Sequence, residues 1–373
     1  MIGRVLGIPL YVNTSMFLLA ALVTFVYGDY VRAELGLPAP AGYAVGLGFV
    51  ACLLGSVLLH ELGHALTARR YGIVVRGITL ELLGGWTEMD RDAPNPRVDA
   101  LVSLAGPAVS LILGGVASAA AFALPDRTVA GQVVFQVAAS NIIVAVFNVL
   151  PGLPLDGGRA LRAAIWALIK DRNRATEVAG WAGRGIAFAT GCVVVALYQL
   201  SVITLFGLLF ILLVVFTLWQ GAGQSIRLAR MTRRFPLVDL KTLARPVLSV
   251  PSGTSLGEAQ RRASEDERPG VALAVADSSG RIVAVVDPVG AERVPVGRRP
   301  WVAVDTVARS VDALPALAAG LTGEQVVRAV QSHPGAQYLV TAGEDVVGVL
   351  NVADLVTVLE PRRVSRRPAP AKK

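Results

Sequence analysis

Charge is scarce in this chain of 373 residues: 17% of positions are Asp, Glu, Lys or Arg, against roughly 25% in soluble domains. With 54% hydrophobic residues and a mean hydropathy of +0.58, much of it must be solvated by lipid. Cysteine is nearly absent. Cys52 and Cys192 both lie in apolar runs, which excludes a disulfide framework and suggests small core residues. A cleavable leader is not in evidence: Arg4 precedes an apolar run with no small-residue cleavage site, so that run reads as a retained membrane helix. The one excess is of base, a net charge of +8 and a pI near 9.9. It does not point to nucleic acid, because the arginines and lysines gather at the ends of apolar segments and in the extreme tail.

Six spans of about 20 residues can be drawn, over 12–29, 41–67, 101–124, 129–150, 180–200 and 202–220, the last two as a tight hairpin with Trp219 at interfacial depth. One set of loops holds Arg69, Arg70, Arg76, Arg91 and Arg97, then Arg159 to Arg174, then Arg227 to Arg234. The opposite set holds Arg32 and Arg127, each beside an acid. The positive-inside rule therefore places both termini in the cytoplasm, for a multi-pass protein of the plasma or inner membrane.

Residues 43–59 carry no charge, and then His60-Glu61-Leu62-Gly63-His64 appears before the segment ends at Arg69-Arg70. Ionisable groups at membrane depth are costly and mark function. Helix positions i and i+4 share a face, so both imidazoles can reach one metal ion, with Glu61 placed to take a proton from an attacking water. At ~1.5 Å per residue, His64 and His60 lie roughly 7 and 14 Å inside the boundary at Arg69. A hydrolytic zinc site uses three protein ligands. Histidine is too rare to supply them: there are three in all, and His333 falls in a soluble repeat, where it reads as a surface or helix-end residue. The remaining donor is a carboxylate, Asp156, in the Pro- and Gly-broken element Asn148-Val149-Leu150-Pro151-Gly152-Leu153-Pro154-Leu155-Asp156-Gly157-Gly158. By itself Asp156 could equally be a helix N-cap.

Between the second and third spans, residues 73–88 read as short strands about a turn. They are either a strand edge to which an unwound substrate segment adds or a plain surface hairpin. From about Phe235 the pattern turns soluble and repeats: 245–290 and 309–359 share the order turn, helix, strand, polar turn, strand. The expected organisation is a membrane domain over 1–234, a tandem α/β domain over 235–360, and a basic disordered tail over 361–373 that either brushes anionic lipid or is simply solvated.

These residues resemble the site-2 protease family of intramembrane zinc metalloproteases, in the subgroup with six spans and a C-terminal cytoplasmic pair of CBS domains. His60-Glu61-Leu62-Gly63-His64 fits the first family motif and the 148–158 element the second; Gly84-Gly85 and Ala105-Gly106-Pro107 fall where the family has a glycine pair and an Ala-Gly-Pro turn. The resemblance implies Zn2+ on His60, His64 and Asp156, Glu61 as general base, and Asn148 holding the scissile carbonyl or its oxyanion. Asn148 could instead tie span four to a neighbouring helix. It also implies single-span membrane proteins as substrates, such as a tethered anti-sigma factor or a remnant signal peptide. CBS pairs often bind adenine nucleotides through a Ser/Thr-x-x-Asp element, or dimerise. Here Asn351-Val352-Ala353-Asp354 retains the aspartate and Asp287-Pro288-Val289-Gly290 does not, so at most one nucleotide site is expected, at Asp354. Two other readings compete: a zinc-holding protein that captures membrane helices without cleaving them, and a CBS-gated transporter. Glu61 argues against the first, and the gathering of ionisable groups at one depth against the second.

Overall fold

A chain in hydrocarbon must satisfy every N–H and C=O internally, so the apolar runs fold as helices. The computed structural model describes residues 1–81, 84–268, 270–343 and 345–359. The expected basic tail over 361–373, like Leu82, Leu83 and Glu344 of the expected turns, lies outside the described residues. The chain divides into two units, Met1–Ala229 and a second that begins at Arg230.

The first unit opens with an antiparallel hairpin of β1 (Gly3–Val5) and β2 (Ile8–Val12), turning at Leu6 and Gly7 with φ of 51° and 81°. The first span was expected to begin at Val12, but that residue closes β2, and α1 runs Ser15–Leu35. Then come α2 (Ala39–Arg70), β3 (Val75–Glu81), β4 (Gly84–Met89), α3 (Pro96–Phe122), α4 (Val129–Val149), α5 (Asp156–Ile169), α6 (Arg172–Gln199) and α7 (Leu205–Thr232). All of these helices except α5 are long and apolar enough to cross a membrane, which makes six among the described residues. Hydropathy located the spans, but capping sets where helices start. Asn95 accepts from the Val98 N–H (3.0 Å) and Asp171 from that of Arg174 (3.0 Å). So α3 begins at Pro96 and α6 at Arg172, both earlier than the apolar runs do. Ala105-Gly106-Pro107 forms no turn and lies inside α3. Cys52 and Cys192 are not core residues either: both are free and exposed on helix surfaces, as are Phe17, Ile112 and Phe188.

The strands form one sheet in the order β1-β2-β3-β4, with β2 parallel to β3 and β4 at the edge. Ile78 and Leu80 of β3, with Ile8 and Met16, pack on Leu62 and Ala65 of α2. That core lays the sheet against the turn of α2 that carries Glu61.

Among its described residues the second unit holds α8 (Leu240–Leu243) and two sheets with their helices. β5 (Val247–Pro251), α9 (Leu256–Glu265), β6 (Ala272–Ala276), β7 (Ile282–Val286) and α10 (Pro288–Arg293) form the first repeat. β8 (Ala308–Ser310), β9 (Ala316–Ala318), α11 (Glu324–Ser332), β10 (Gln337–Ala342), β11 (Asp345–Asn351) and α12 (Val352–Leu359) form the second. The sheets run β5-β6-β7-β8 and β11-β10-β9. The sequence did not reveal that the repeats exchange their opening segments. β8 pairs with β7 of the first repeat, while Arg245 exchanges backbone hydrogen bonds with Val349 of the second (2.9 and 3.0 Å). Ala274, Val285, Leu339 and Val349 fuse the two repeats in one buried cluster.

Candidate active site

His60 and His64 lie one turn apart on α2 and face α3, both at least nine-tenths buried. Nδ1 of His64 donates to the Val102 carbonyl at 2.7 Å, so its Nε2 presents a lone pair. Nδ1 of His60 lies 2.9 Å from the Ser110 hydroxyl. The two Nε2 atoms are 3.2 Å apart, and Oδ2 of Asp156 lies 3.1 Å from that of His60 and 3.2 Å from that of His64. Three electron-pair donors at this spacing repel unless a cation or proton lies among them. Tetrahedral zinc with ligands at ~2.0–2.1 Å sets its donors roughly 3.3 Å apart, so this His2Asp set fits the ion and leaves a fourth position open.

Backbone shape makes room for this convergence. Gly106 of α3 lies against both rings: a Cβ there would fall 2.3 Å from Nε2 of His64 and 2.6 Å from Nε2 of His60. Asp156 is not the N-cap of α5. Leu155 holds that position, and the Asp156 carboxylate turns toward the imidazoles from the first turn.

Glu61 is 5% exposed. Thr87 of β4 donates its hydroxyl proton to Oε2 of Glu61 at 2.7 Å. Beside these groups is a cavity of about 280 Å3, its wall completed by Leu53, Trp86, Asn141, Asn148, Pro154 and Arg159. Asn148 is thus brought to the cavity near the end of α4. The polar tie from this span to a neighbouring helix is made by Asn141 instead, whose Nδ2 donates to Ser56 Oγ at 3.0 Å.

Sequence reasoning missed Thr87, Ser110, the Val102 carbonyl and Asn141. Thr87 alone had a signal, two residues after the noted Gly84-Gly85 pair and so on the same strand face as Gly85. In the second unit, exposed His333 caps the end of α11. Asp354, in the first turn of α12, is held in a bidentate ion pair by Arg245 (2.8 and 3.1 Å), and Asp287 accepts from Arg309 at 2.8 Å.

The sequence model described as peptidase family M50 matches residues 48–137 and 124–192. The Synechocystis sp. protein named "Putative zinc metalloprotease sll0528" is 30% identical over 366 residues, 96% of this chain and 95% of that one. Among solved structures, the site-2 protease from Methanocaldococcus jannaschii aligns with 60% of this chain and 94% of its own, at 25% identity and a TM-score of 0.44. The CBS-domain containing protein ATU1752 from Agrobacterium tumefaciens aligns with 32% and 88%, at 17% identity and a TM-score of 0.25.

Proposed function

The chain belongs to peptidase family M50, and from that membership we infer that His60, His64 and Asp156 hold the zinc ion of an endopeptidase that cuts the transmembrane helix of single-span membrane proteins. At the family level it is a zinc-dependent metalloprotease and a multi-pass membrane protein. The observation that carries the site assignment is the approach of two Nε2 atoms and one carboxylate oxygen to within 3.2 Å of one another beside buried Glu61.

Zinc bound there supplies Lewis-acid chemistry, lowering the pKa of a water toward 7. Glu61 takes the proton of the attacking water as the C–O bond forms, then returns it to the amine as the C–N bond breaks. Asn148 presents an amide donor to the negative charge on the carbonyl oxygen. The cavity lies between helices, so the substrate is a membrane segment that has locally unwound. Edge strand β4, whose Gly84, Gly85, Trp86 and Thr87 line the cavity, can take that segment as an added strand. A tethered anti-sigma factor or a remnant signal peptide has the required single span. Loop charge favours cytoplasmic termini.

Cleavage of single-span test proteins by the detergent-purified chain, beside Glu61→Gln and with zinc quantified in both, tests this function. Cleavage by the wild type alone with equal zinc supports it. Zinc without cleavage of any substrate would favour a helix-capturing protein, and no zinc in either would undo the ligand assignment.

The second unit reads as a CBS pair that regulates or dimerises the peptidase, over about 235–360, with one adenine nucleotide contacting Asp354. Arg245 already pairs with that carboxylate, leaving its remaining lone pairs to accept from ribose hydroxyls. Calorimetric titration of the full chain with AMP, ADP and ATP tests this, and an absence of heat would remove it.

A further inference from the structure

A general base must keep one carboxylate oxygen trained on the attacking water, and a free Glu side chain samples several rotamers. Two contacts from β4 bear on the Glu61 side chain. Alternate residues of a strand share a face, so Gly85 and Thr87 look toward α2 while Trp86 and Glu88 look away. Thr87 donates to Oε2 at 2.7 Å, which leaves Oε1 to receive the proton of the attacking water. At Gly85 the backbone itself is the wall. A Cβ there would fall 2.8 Å from Cγ of Glu61 and 3.1 Å from Oε1. β3 holds the strand in this position through the Ile78↔Thr87 pairing, and Ile78 is buried against Leu62 and Ala65.

We propose that Thr87 is a positioning residue for proteolysis: its hydroxyl fixes the rotamer of Glu61, so that the strand offered to the substrate also aligns the base. The inference rests on the reading of Glu61 as general base. It adds that docking on β4 and alignment of the proton acceptor depend on one strand. The alternative is that Thr87 merely ties β4 to α2.

The two roles separate kinetically. The full chain in detergent is assayed on a single-span test protein as wild type, Thr87→Val and Thr87→Ser. Zinc per chain is measured in each, and substrate affinity is measured for Glu61→Gln with and without Thr87→Val. General-base catalysis contributes about 10²–10⁴-fold, and a mis-aimed base forfeits part of that. Thr87→Val is therefore expected to lower kcat by about 10- to 100-fold. KM, zinc content and affinity in the Glu61→Gln background should stay within about twofold, because valine replaces the hydroxyl at nearly constant shape. Thr87→Ser, which keeps the donor, should recover kcat to within about threefold of wild type.

Unchanged kcat in Thr87→Val overturns the proposal. So does a loss confined to KM and to affinity, which would mark a tie of strand to helix, and so does failure of serine to rescue. A wild type that cleaves nothing would instead count against the peptidase reading itself.

Discussion

Asp99 of α3 grips Arg162 of α5 in a bidentate ion pair, with Nη2–Oδ1 at 2.6 Å and Nε–Oδ2 at 3.0 Å, and the aspartate is 1% exposed. The contact joins the helix that presents Gly106, Val102 and Ser110 to the histidines with the helix that begins at Asp156. Removing one partner of a buried pair leaves an uncompensated charge at a cost of about 3–5 kcal/mol. Arg162→Met is therefore expected to lower the thermal stability of the purified chain and its zinc content together. Arg162→Met combined with Asp99→Leu should recover most of the stability, because no lone charge remains. A single variant as stable as wild type would show that α5 is held elsewhere.

Gly106 leaves no room for substitution. In Gly106→Ala the new methyl would fall 2.3 Å from Nε2 of His64. Alanine suits a helix better than glycine, so α3 itself should persist. The expected outcome is unchanged helical circular dichroism with zinc affinity at least about tenfold weaker, measured by competition with a chelator. Full zinc retention would mean that the imidazoles do not occupy the positions described.

Ser110 acts on the same imidazole pair from the other side. Its hydroxyl lies 2.9 Å from Nδ1 of His60 and gives that nitrogen a partner, so Nε2 is free to face Asp156. Groups that orient a ligand in this way are typically worth 10- to 100-fold in metal affinity or activity, and Ser110→Ala is expected to cost about that much zinc affinity. Equal affinity in the two proteins would assign the ring orientation to helix packing alone.

The contrast between His64 and Thr87 shows what could be read beforehand. His60, Glu61 and His64 sit within five positions of one helix, so helical geometry alone places them on adjoining faces, and the hydropathy around them sets their depth. Thr87 meets Glu61 across 26 residues and Ser110 meets His60 across 50, through packing of a sheet and a second helix on α2. Neither contact leaves a local pattern. The N-terminal hairpin escaped for a related reason: Gly3 to Val12 is short and apolar, and its pairing partner, β3, lies beyond two membrane helices. The repeat in the second unit was legible because both copies keep the same order of elements. The exchange of opening segments between them was not, since pairing partners are a tertiary choice.

That exchange makes the second unit sensitive to acid. Asp287 caps α10 by accepting from the Val289 N–H at 3.1 Å, and it also accepts from Nη2 of Arg309 on β8 at 2.8 Å. Burial pushes its carboxyl up, but the Arg309 guanidinium and the Val289 N–H outweigh burial and hold it below the ordinary carboxylate range. A carboxyl depressed on folding contributes stability above its unfolded pKa of about 4, and the contribution is lost as pH falls through the folded value. Arg309 is half exposed, so solvent screening limits the pair to about 1 kcal/mol or less. Arg309→Gln should therefore loosen the seam between β7 and β8 at pH 7. Hydrogen exchange across residues 282–310 of the full chain would show this as faster amide opening in the variant. The difference should shrink as the pH is lowered below about 4, where the carboxyl is protonated first in the unfolded chain and then, below its depressed folded value, in the folded wild type. A difference that persists undiminished at pH 3 would show that Arg309 braces the exchanged strand by packing rather than by its charge.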